Sequence, residues 1–202
     1  MLEIMLSGKP PPPPVSNAFI GEVQTADFID GIALAAALGF SNGTAINNTE
    51  PWLKVSYFGK TLYFPKKPIR HSCHWGHFNT ANIVYGERTV TIQDQQYKVR
   101  LFTGTVSDPA PSAAPGGREW NDIMYRLWSG NPDGTTNNWA MYTTAELGQD
   151  SSGRFCYCQE TNSSDTTRCF LRGNSTIAAI GTTAKTNTSA NYGWRPILEL
   201  VE

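Results

Sequence analysis

The segment GREWNDIMYRLWS, residues 117–129, has the pattern that says most about the fold. Its large apolar residues recur at i, i+3, i+4, i+7 and i+8: Trp120, Ile123, Met124, Leu127 and Trp128. This spacing places them on one side of an α-helix, and two tryptophans on that side predict a large, rigid core contact. Gly116 and Gly117 precede the pattern and Gly130 ends it, as expected at helix boundaries.

Other local patterns predict a further helix and two hairpins. Residues 25–38, TADFIDGIALAAAL, predict a helix with Thr25 as its cap, ending before Gly39. The stripe expected to dock this helix is formed by Phe28, Ile32, Ala35 and Ala36. Residues 53–64 predict a hairpin that turns near residues 59–60, and residues 88–102 predict another with its turn at residues 94–95.

Short strand-like runs alternate with Asn-, Ser-, Thr- and Gly-rich stretches from Gly153 onward. These runs are residues 154–160, 167–172, 175–180 and 194–201. In the closing strand, alternation predicts one face with Trp194, Leu198 and Leu200 and the opposite face with Ile197 and Val201. Pro196 marks an edge or a bulge in that strand.

Composition narrows the class of protein. Apolar residues are 40% of the 202 residues, enough for a core, but charged residues are only 16% against a usual figure of about 25%. The polar surface must therefore consist of Ser, Thr, Asn and Gly, as on many secreted and virion proteins. A net charge of −1 without a basic block argues against nucleic-acid binding, and the apolar run 32–40 is too short to insert into a membrane.

The first 49 residues are predicted to form an arm and a docking helix, followed by one domain over residues 50–202. Residues 10–14 are five consecutive prolines, which favour a stiff polyproline II segment in an arm over residues 1–18. That arm is either a simple tether or a strap on a neighbouring subunit. The N-terminal sequence lacks the basic and apolar regions of a secretory signal, so we expect release by lysis or within a particle.

Six segments resemble a domain found in many structural proteins of tailed bacteriophages. They are KKPIRHSCHW at 66–75, RTVTIQDQQYKVRL at 88–101, EWNDIMYRLWSG at 119–130, WAMYTTAELG at 139–148, RFCYCQET at 154–161 and YGWRPILELV at 192–201. The same layout resembles the α+β, C-type-lectin-like fold shared with formylglycine-generating enzymes and with variable phage receptor-binding proteins. In that fold the closing strand, often with a Gly-aromatic-Arg signature such as Gly193-Trp194-Arg195, returns to the central sheet.

This resemblance implies a ligand-binding scaffold whose contact surface comes from the loops of residues 161–167 and 173–192. The candidate contact residues are Asn174, Ser175, Thr176, Thr182, Thr183, Lys185, Asn187, Ser189, Asn191 and Tyr192. Such side chains offer adaptable hydrogen bonds, and tyrosine adds contact area at low entropic cost. The same loops are equally compatible with a solvated surface or with contacts inside a polymer.

Two groups of residues have the composition of chemical sites. His71, Cys73, His74 and His77 lie close together and are weak zinc candidates, although residues at the start of a helix are the simpler interpretation. Cys158 would face Cys169 if a hairpin centred between residues 163 and 164, which would allow a disulfide. Buried free thiols remain the simpler state for a protein made in a reducing cytoplasm.

The sequence does not favour catalysis. It contains no G-x-S-x-G elbow, P-loop or H-E-x-x-H motif, and Cys156, Cys158 and Cys169 do not have the spacing of a formylglycine-generating oxidase. Glu119 and Asp122 could form a carboxylate pair, but their i, i+3 spacing predicts solvated charges on an exposed helix face. We therefore expect no catalytic residues and no cofactor.

Three hypotheses follow for the function. The first is a tail-associated adhesion or receptor-binding protein of a phage virion, which contacts a host surface glycan or protein. The second is a purely structural virion component, such as a capsid decoration, collar or tail-assembly protein, which contacts only other virion proteins. The third, least favoured, is a formylglycine-generating type of oxidase. A homo-oligomer is expected in the first two because virion parts are symmetric.

Overall fold

Two six-stranded sheets and few helices make up the described part of the chain, which is an α+β protein. The computed structural model describes residues 17–111, 117–131 and 138–202. Most of the predicted Pro-rich arm falls outside these ranges. Among the described residues, no helix is both long and apolar enough to cross a membrane.

The first sheet is antiparallel, in the order β1-β3-β4-β12-β7-β6. Its strands are β1 (Ala18–Val23), β3 (Trp52–Tyr57), β4 (Lys60–Pro65), β6 (Tyr85–Ile92), β7 (Gln95–Arg100) and β12 (Ile197–Leu200). The two hairpins predicted from the sequence, β3–β4 and β6–β7, are confirmed. The second turns at Gln93 and Asp94, one residue earlier than predicted, and both residues have positive φ angles of 50° and 62°.

The second sheet is mixed, in the order β10-β9-β8-β11-β5-β2. Its strands are β2 (Thr44–Ala45), β5 (Arg70–His71), β8 (Phe155–Thr161), β9 (Arg168–Gly173), β10 (Ile180–Ala184) and β11 (Tyr192–Trp194). Strand β11 pairs in parallel with β8 and antiparallel with β5. The strand predicted at residues 175–180 is wrong, because most of it is a loop that buries Ile177 and β10 begins only at Ile180.

The chain crosses from one sheet to the other between β11 and β12. Pro196 lies at this crossing and has no backbone N–H to donate to a strand ladder. The alternation predicted for the closing segment is confirmed at two positions, since Leu198 packs in one hydrophobic cluster and Ile197 in the other. Each sheet therefore buries residues on both of its faces.

The helices cover these faces. They are α1 (Gly31–Ala37), α2 (Trp75–Thr80) and a π-helix (Trp120–Tyr125) flanked by α-helical residues at 118–119 and 126–127. The π-helix lies within the segment predicted as an α-helix. Its wider turns still bury Trp120, Ile123, Met124 and Leu127 in the second cluster, so the predicted apolar face is confirmed.

The single helix predicted over residues 25–38 is wrong. A 3-10 turn spans Thr25–Asp27, and α1 starts only after Asp30, whose Oδ1 accepts hydrogen bonds from the backbone N–H groups of Ile32 and Ala33. Asp30 thus caps a new helix in place of Thr25. Of the predicted stripe, Ala35 is buried and Phe28 packs against the first cluster. Ile32 is 59% exposed and Ala36 is exposed as well, so the stripe is confirmed only in part.

Strand β1 and helix α1 pack as parts of the main domain. Strand β1 pairs with β3 at one edge of the first sheet, and Leu34 is fully buried in the first cluster. The predicted boundary at residue 50 therefore does not separate the described N-terminal residues from the domain predicted for residues 50–202.

Candidate binding site

The ten predicted contact residues are divided between the two ends of strand β10. Asn174, Ser175 and Thr176 precede β10, and four others follow it: Lys185, Asn187, Ser189 and Asn191. The chain returns after β10, so Asn191 lies near Asn174 again: the Asn174 N–H donates to the Arg154 carbonyl, and the Phe155 N–H donates to the Asn191 carbonyl. Lys185 lies at the other end of β10, where its N–H donates to the Thr167 carbonyl. Ser175, Asn187 and Asn191 are exposed, and their role in ligand contact remains a prediction.

Several of these residues have structural partners instead. Thr183 is 3% exposed, and its Oγ1 accepts a hydrogen bond from Asn187 Nδ2, so its assignment as a contact residue is wrong. Thr182 accepts hydrogen bonds from Arg168. The Lys185 ammonium lies 4.6 Å from the centre of the Trp75 ring, and Tyr192 packs edge-on against two other aromatic rings. These contacts hold the ends of the second sheet together.

The histidine cluster forms a helix start. His74 caps α2: its Nδ1 accepts from the His77 backbone N–H, and the two rings stack with their centres 3.4 Å apart. Cys73 is fully buried in the first hydrophobic cluster, and His71 Nδ1 contacts Ser72 Oγ. The zinc interpretation is therefore wrong, because no group of three or more metal-ligating side chains comes together in the described part of the chain.

The cysteines do not form the predicted pair. Thr161 lies opposite Cys169, and an irregularity in the β8–β9 ladder separates this pair from Tyr157 and Leu171. Cys158 points into the second hydrophobic cluster and Cys169 into the first, on the opposite side of the sheet. The possible disulfide is therefore wrong, and the simpler alternative is confirmed, because the four thiols are free and buried. Burial raises the pKa of Cys73 and of Cys169 to about 12, which keeps them protonated and unreactive.

A polar pocket opens on the first sheet, beyond the area that the π-helix covers. Its volume is about 360 Å³. The residues that line it come from both hairpins, the helix start, β8 and β12: Tyr57, Lys60, Tyr85, Lys98, Arg100, Thr103, Arg118, Glu119, Gln159 and Glu199. On this face of the sheet, the residues under the π-helix are apolar, such as Leu62 and Ile197. The next residues on the same face, Lys60 on β4 and Glu199 on β12, are charged.

A buried ion network forms the floor of the pocket. Arg100 binds Glu119 through two hydrogen bonds of 2.6 and 2.7 Å and donates a third, of 2.9 Å, to Glu199. Lys60 Nζ lies 2.6 Å from the other oxygen of Glu199. Glu119 is only 6% exposed, so its predicted role as a solvated surface charge is wrong. Fork-like pairing of a guanidinium with a carboxylate holds both groups in fixed positions.

The pocket has more positive than negative charge. Four cations line it (Lys60, Lys98, Arg100 and Arg118) and two carboxylates (Glu119 and Glu199), which leaves a balance of +2. Lys98 and Arg118 are exposed, and neither forms a salt bridge within the described residues. Arg118 donates two hydrogen bonds to the Val106 carbonyl, which fixes the position of its guanidinium.

An exposed aromatic residue stands beside the pocket, at the tip of the β3–β4 hairpin. Phe58 is 66% exposed and has a φ angle of +46°, next to Gly59 at +82°. For a bulky residue this left-handed conformation costs about 1 kcal/mol, and Asn or Gly is the usual choice there. The Phe58 ring packs edge-on against Tyr57, which lines the pocket, with ring centres 4.8 Å apart. Phe58 and Tyr57 therefore form a continuous aromatic surface at the edge of the pocket, which we call the aromatic wall.

A second depression continues the pocket along β12. Its volume is about 290 Å³, and it shares Lys60, Lys98 and Glu199 with the first. It runs on to Val201 and Glu202. The two depressions together form an elongated groove, which we call the sheet groove.

Glu160 is a buried carboxylate outside the groove. It is 3% exposed, both of its oxygens lie 3.0 Å from the Gly104 backbone N–H, and Cys158 and Arg172 lie nearby. Burial raises its pKa to about 7, although hydrogen bonds from the backbone N–H groups of Gly104 and its neighbours oppose the rise.

The Glu160 carboxyl predicts a pH-dependent stability. Because its pKa is higher in the folded chain than in the unfolded chain, the folded state holds the proton more tightly between pH 4.5 and 7. The stabilisation that comes from this raised pKa is complete below pH 4.5 and is lost as the pH rises through 7. The free energy of unfolding of the wild type should therefore fall with rising pH by up to about 3 kcal/mol more than that of Glu160→Gln. Urea unfolding of both proteins at pH 5 and pH 8 measures this difference. Parallel curves for the two proteins would contradict it.

The groove residues were missed because sequence reasoning took the late loops as the contact surface. One local signal was present: Arg100 and Glu199 each interrupt a short run of apolar residues, at VRLF and LELV. A charge in a strand that is buried on both faces requires a partner, and the two partners here lie 99 residues apart.

Comparison of the chain with known protein families, with curated proteins and with solved structures finds no match.

Proposed function

We propose that this chain is an adhesion module of a tailed-bacteriophage particle, with a C-type-lectin-like fold, which holds a host-surface ligand in the sheet groove without chemically changing it. The observation that carries the proposal is the groove itself: an open, polar, cation-rich cleft on a rigid sheet, fixed by buried ion pairs. Binding sites on rigid elements with side chains locked in place hold ligands more precisely than sites on loops.

The lectin-like part of the proposal is supported by the course of the closing segment. The resemblance implies a closing strand that returns to a central sheet with a Gly-aromatic-Arg signature. Gly193 and Trp194 lie on β11, between β8 and β5, and Arg195 is fully buried against the Leu147 carbonyl and the Met124 sulfur. The signature therefore occupies an interior position in the second sheet.

The chemistry of the groove supports binding rather than turnover. Hydrolysis of a glycosidic bond by two carboxyl groups needs one of them protonated as a general acid. Both carboxylates here are paired with Arg100. Burial raises the pKa of Glu199, but the hydrogen bonds and charges of Lys60 and Arg100 outweigh burial and hold it below its usual value. Glu199 is therefore an ionised acceptor at neutral pH.

A competition experiment tests the adhesion role. Purified chain, added in excess to the host bacteria, is expected to reduce adsorption of the phage particle, because it occupies the same surface ligand. The double variant Lys98→Glu/Arg118→Glu should lose this inhibition, since it reverses the exposed charge of the groove. Arg88→Glu is the matched control: Arg88 is exposed and lies opposite Val99, on the other face of the same sheet, so its inhibition should equal that of the wild type.

The same experiment separates adhesion from a purely structural role. If neither the wild type nor the control variant reduces adsorption, while particles with the double variant fail to assemble, the chain contacts only other virion proteins. Equal inhibition by the wild type and the double variant would show that the ligand contacts a surface other than the groove.

A further inference from the structure

The geometry points to an acidic polysaccharide as the ligand of the sheet groove, with a sugar ring packed on Phe58 and Tyr57 and its carboxylate bound by Lys98 and Arg118. This inference rests on the proposed binding function and names the chemistry of the ligand. It is carried by four properties of the groove: its charge, its hydrogen-bond acceptors, its aromatic wall and its length.

The charge calls for an anionic group. Lys98 and Arg118 are exposed, line the pocket and form no ion pair within the described residues, whereas Arg100 is neutralised by Glu119 and Glu199. The cations that remain for a ligand therefore stand at the opening, above the buried pairs. A carboxylate, sulfate or phosphate placed there gains charge-assisted hydrogen bonds.

The free acceptor sites of the Glu199 carboxylate favour a ligand that also carries hydroxyl groups. Glu199 accepts one hydrogen bond at each oxygen, from Lys60 and from Arg100, whereas a carboxylate offers about four acceptor sites. A ligand that was only an anion would be repelled by this carboxylate. A ligand with donor O–H groups beside its acid group can use both the cations and the spare acceptor sites, and acidic sugars combine these groups on one ring.

The aromatic wall supplies the apolar contact. Phe58 is 66% exposed in a backbone conformation that disfavours it, so beyond the edge contact with Tyr57 the fold gains little from a phenyl ring there. Strain of this kind at an exposed position beside a pocket is typical of a functional residue. The C–H face of a sugar ring packs on aromatic rings, and Tyr57 holds the phenyl ring at the mouth of the pocket.

The length of the groove favours a chain over a single sugar. The two depressions, of about 360 and 290 Å³, share Lys60, Lys98 and Glu199 and so lie next to one another. A linear polymer would place an acid group in the first pocket and neutral hydroxyl groups in the second, where Glu199 and Glu202 balance the two lysines. An acidic protein segment is the competing ligand, and it would use the cations without requiring the aromatic wall.

Binding of the full chain to defined polymers tests the inference. The probes are polygalacturonate, hyaluronate and polysialate as acidic polysaccharides, dextran as the neutral polysaccharide and poly-L-glutamate as the acidic peptide, each measured by biolayer interferometry at 50 and 300 mM salt. At least one acidic polysaccharide should bind at low salt, at least tenfold more tightly than dextran and poly-L-glutamate. Lys98→Glu should weaken this binding about tenfold or more, and Arg88→Glu should leave it unchanged.

Phe58→Asn distinguishes a binding residue from a structural one. Asn-Gly is a favoured sequence for this turn, so the variant should raise the thermal midpoint by about 2 °C while weakening polysaccharide binding about tenfold. A purely structural phenyl ring would not give both changes. Unchanged affinity in this variant would refute packing of a sugar on the ring.

The remaining outcomes also decide the matter. Equal binding of poly-L-glutamate would replace the polysaccharide with a protein partner, and equal binding of dextran would remove the role of the acid group. If the chain inhibits phage adsorption but binds none of the three acidic polysaccharides, the inference is wrong and the adhesion role stands. If it binds one of them as described but does not inhibit adsorption, the adhesion role is wrong and the ligand chemistry stands.

Discussion

Replacement of Gly193 by alanine is expected to destabilise the second sheet strongly. A Cβ atom at this position would lie 2.7 Å from the carbonyl carbon and Cα of Gly153 and closer still to its carbonyl oxygen. The obstacle is backbone, which cannot move aside as a side chain can. Strand β11 joins β8 to β5, so its displacement separates the two halves of that sheet. We expect a loss of about 4 kcal/mol, or about 10 °C in the thermal midpoint.

Gly39→Ala is the matched control for this substitution. Gly39 follows helix α1 at a φ angle of +63°, and a Cβ atom there would meet nothing within 4 Å. The control should therefore lose only the cost of a left-handed alanine, about 1 kcal/mol. Circular dichroism during heating measures both variants. Thermal midpoints that agree within 2 °C would show that the close approach of Gly193 and Gly153 does not limit stability.

Glu119→Gln is the second large prediction. The change removes the negative charge that Arg100 binds through two hydrogen bonds, and Arg100 is 7% exposed. Glu199 and Lys60 remain, so Arg100 keeps one carboxylate but loses its closer partner. Breaking one side of a buried ion pair leaves a charge that water cannot reach, and we expect a loss of about 3 kcal/mol. Guanidinium unfolding, fitted with a common slope, measures it.

Glu87→Gln provides the comparison for this second variant. Glu87 is exposed on β6, so the same chemical change there should leave stability within about 0.5 kcal/mol of the wild type. A Glu119→Gln protein that is as stable as Glu87→Gln would mean that the Arg100–Glu119 pair does not hold the floor of the groove. In that case the argument for a rigid, preformed binding site would fail.

Local patterns predicted the elements that depend on near neighbours in the chain. The five apolar positions of residues 117–129 predicted a helix that buries one side, and the structure buries four of them completely. The π-helical turns within it were not predictable, because they change the hydrogen-bond partner without changing which side chains face the core. The break at Asp30 was also not predictable from local sequence, because an aspartate followed by glycine can either continue a helix or cap a new one. The packing of Phe28 against the core decides between the two.

The possible pairing of Cys158 with Cys169 was wrong because it depended on strand register. The predicted turn centre between residues 163 and 164 would pair Cys158 with Cys169. In the observed register Tyr157 lies opposite Leu171 and Thr161 opposite Cys169, which places the two cysteines on opposite faces. A one-residue change in register reverses every side chain of a strand, and the sequence of the loop does not specify it. The late loops were predicted as the contact surface from the resemblance, although Thr183 among them lies in the interior.

The amino-acid sequence by itself determined an α+β chain with a tryptophan-rich helix, two hairpins and a buried closing strand, because each of these depends on spacings of two to four residues. Only the tertiary structure decided where the charges meet. Lys60, Arg100, Glu119 and Glu199 are separated by as many as 139 residues, and they form one network because β12 inserts between β4 and β7. Ion pairing falls off steeply with distance and exposure, so it depends on that placement and not on any local pattern.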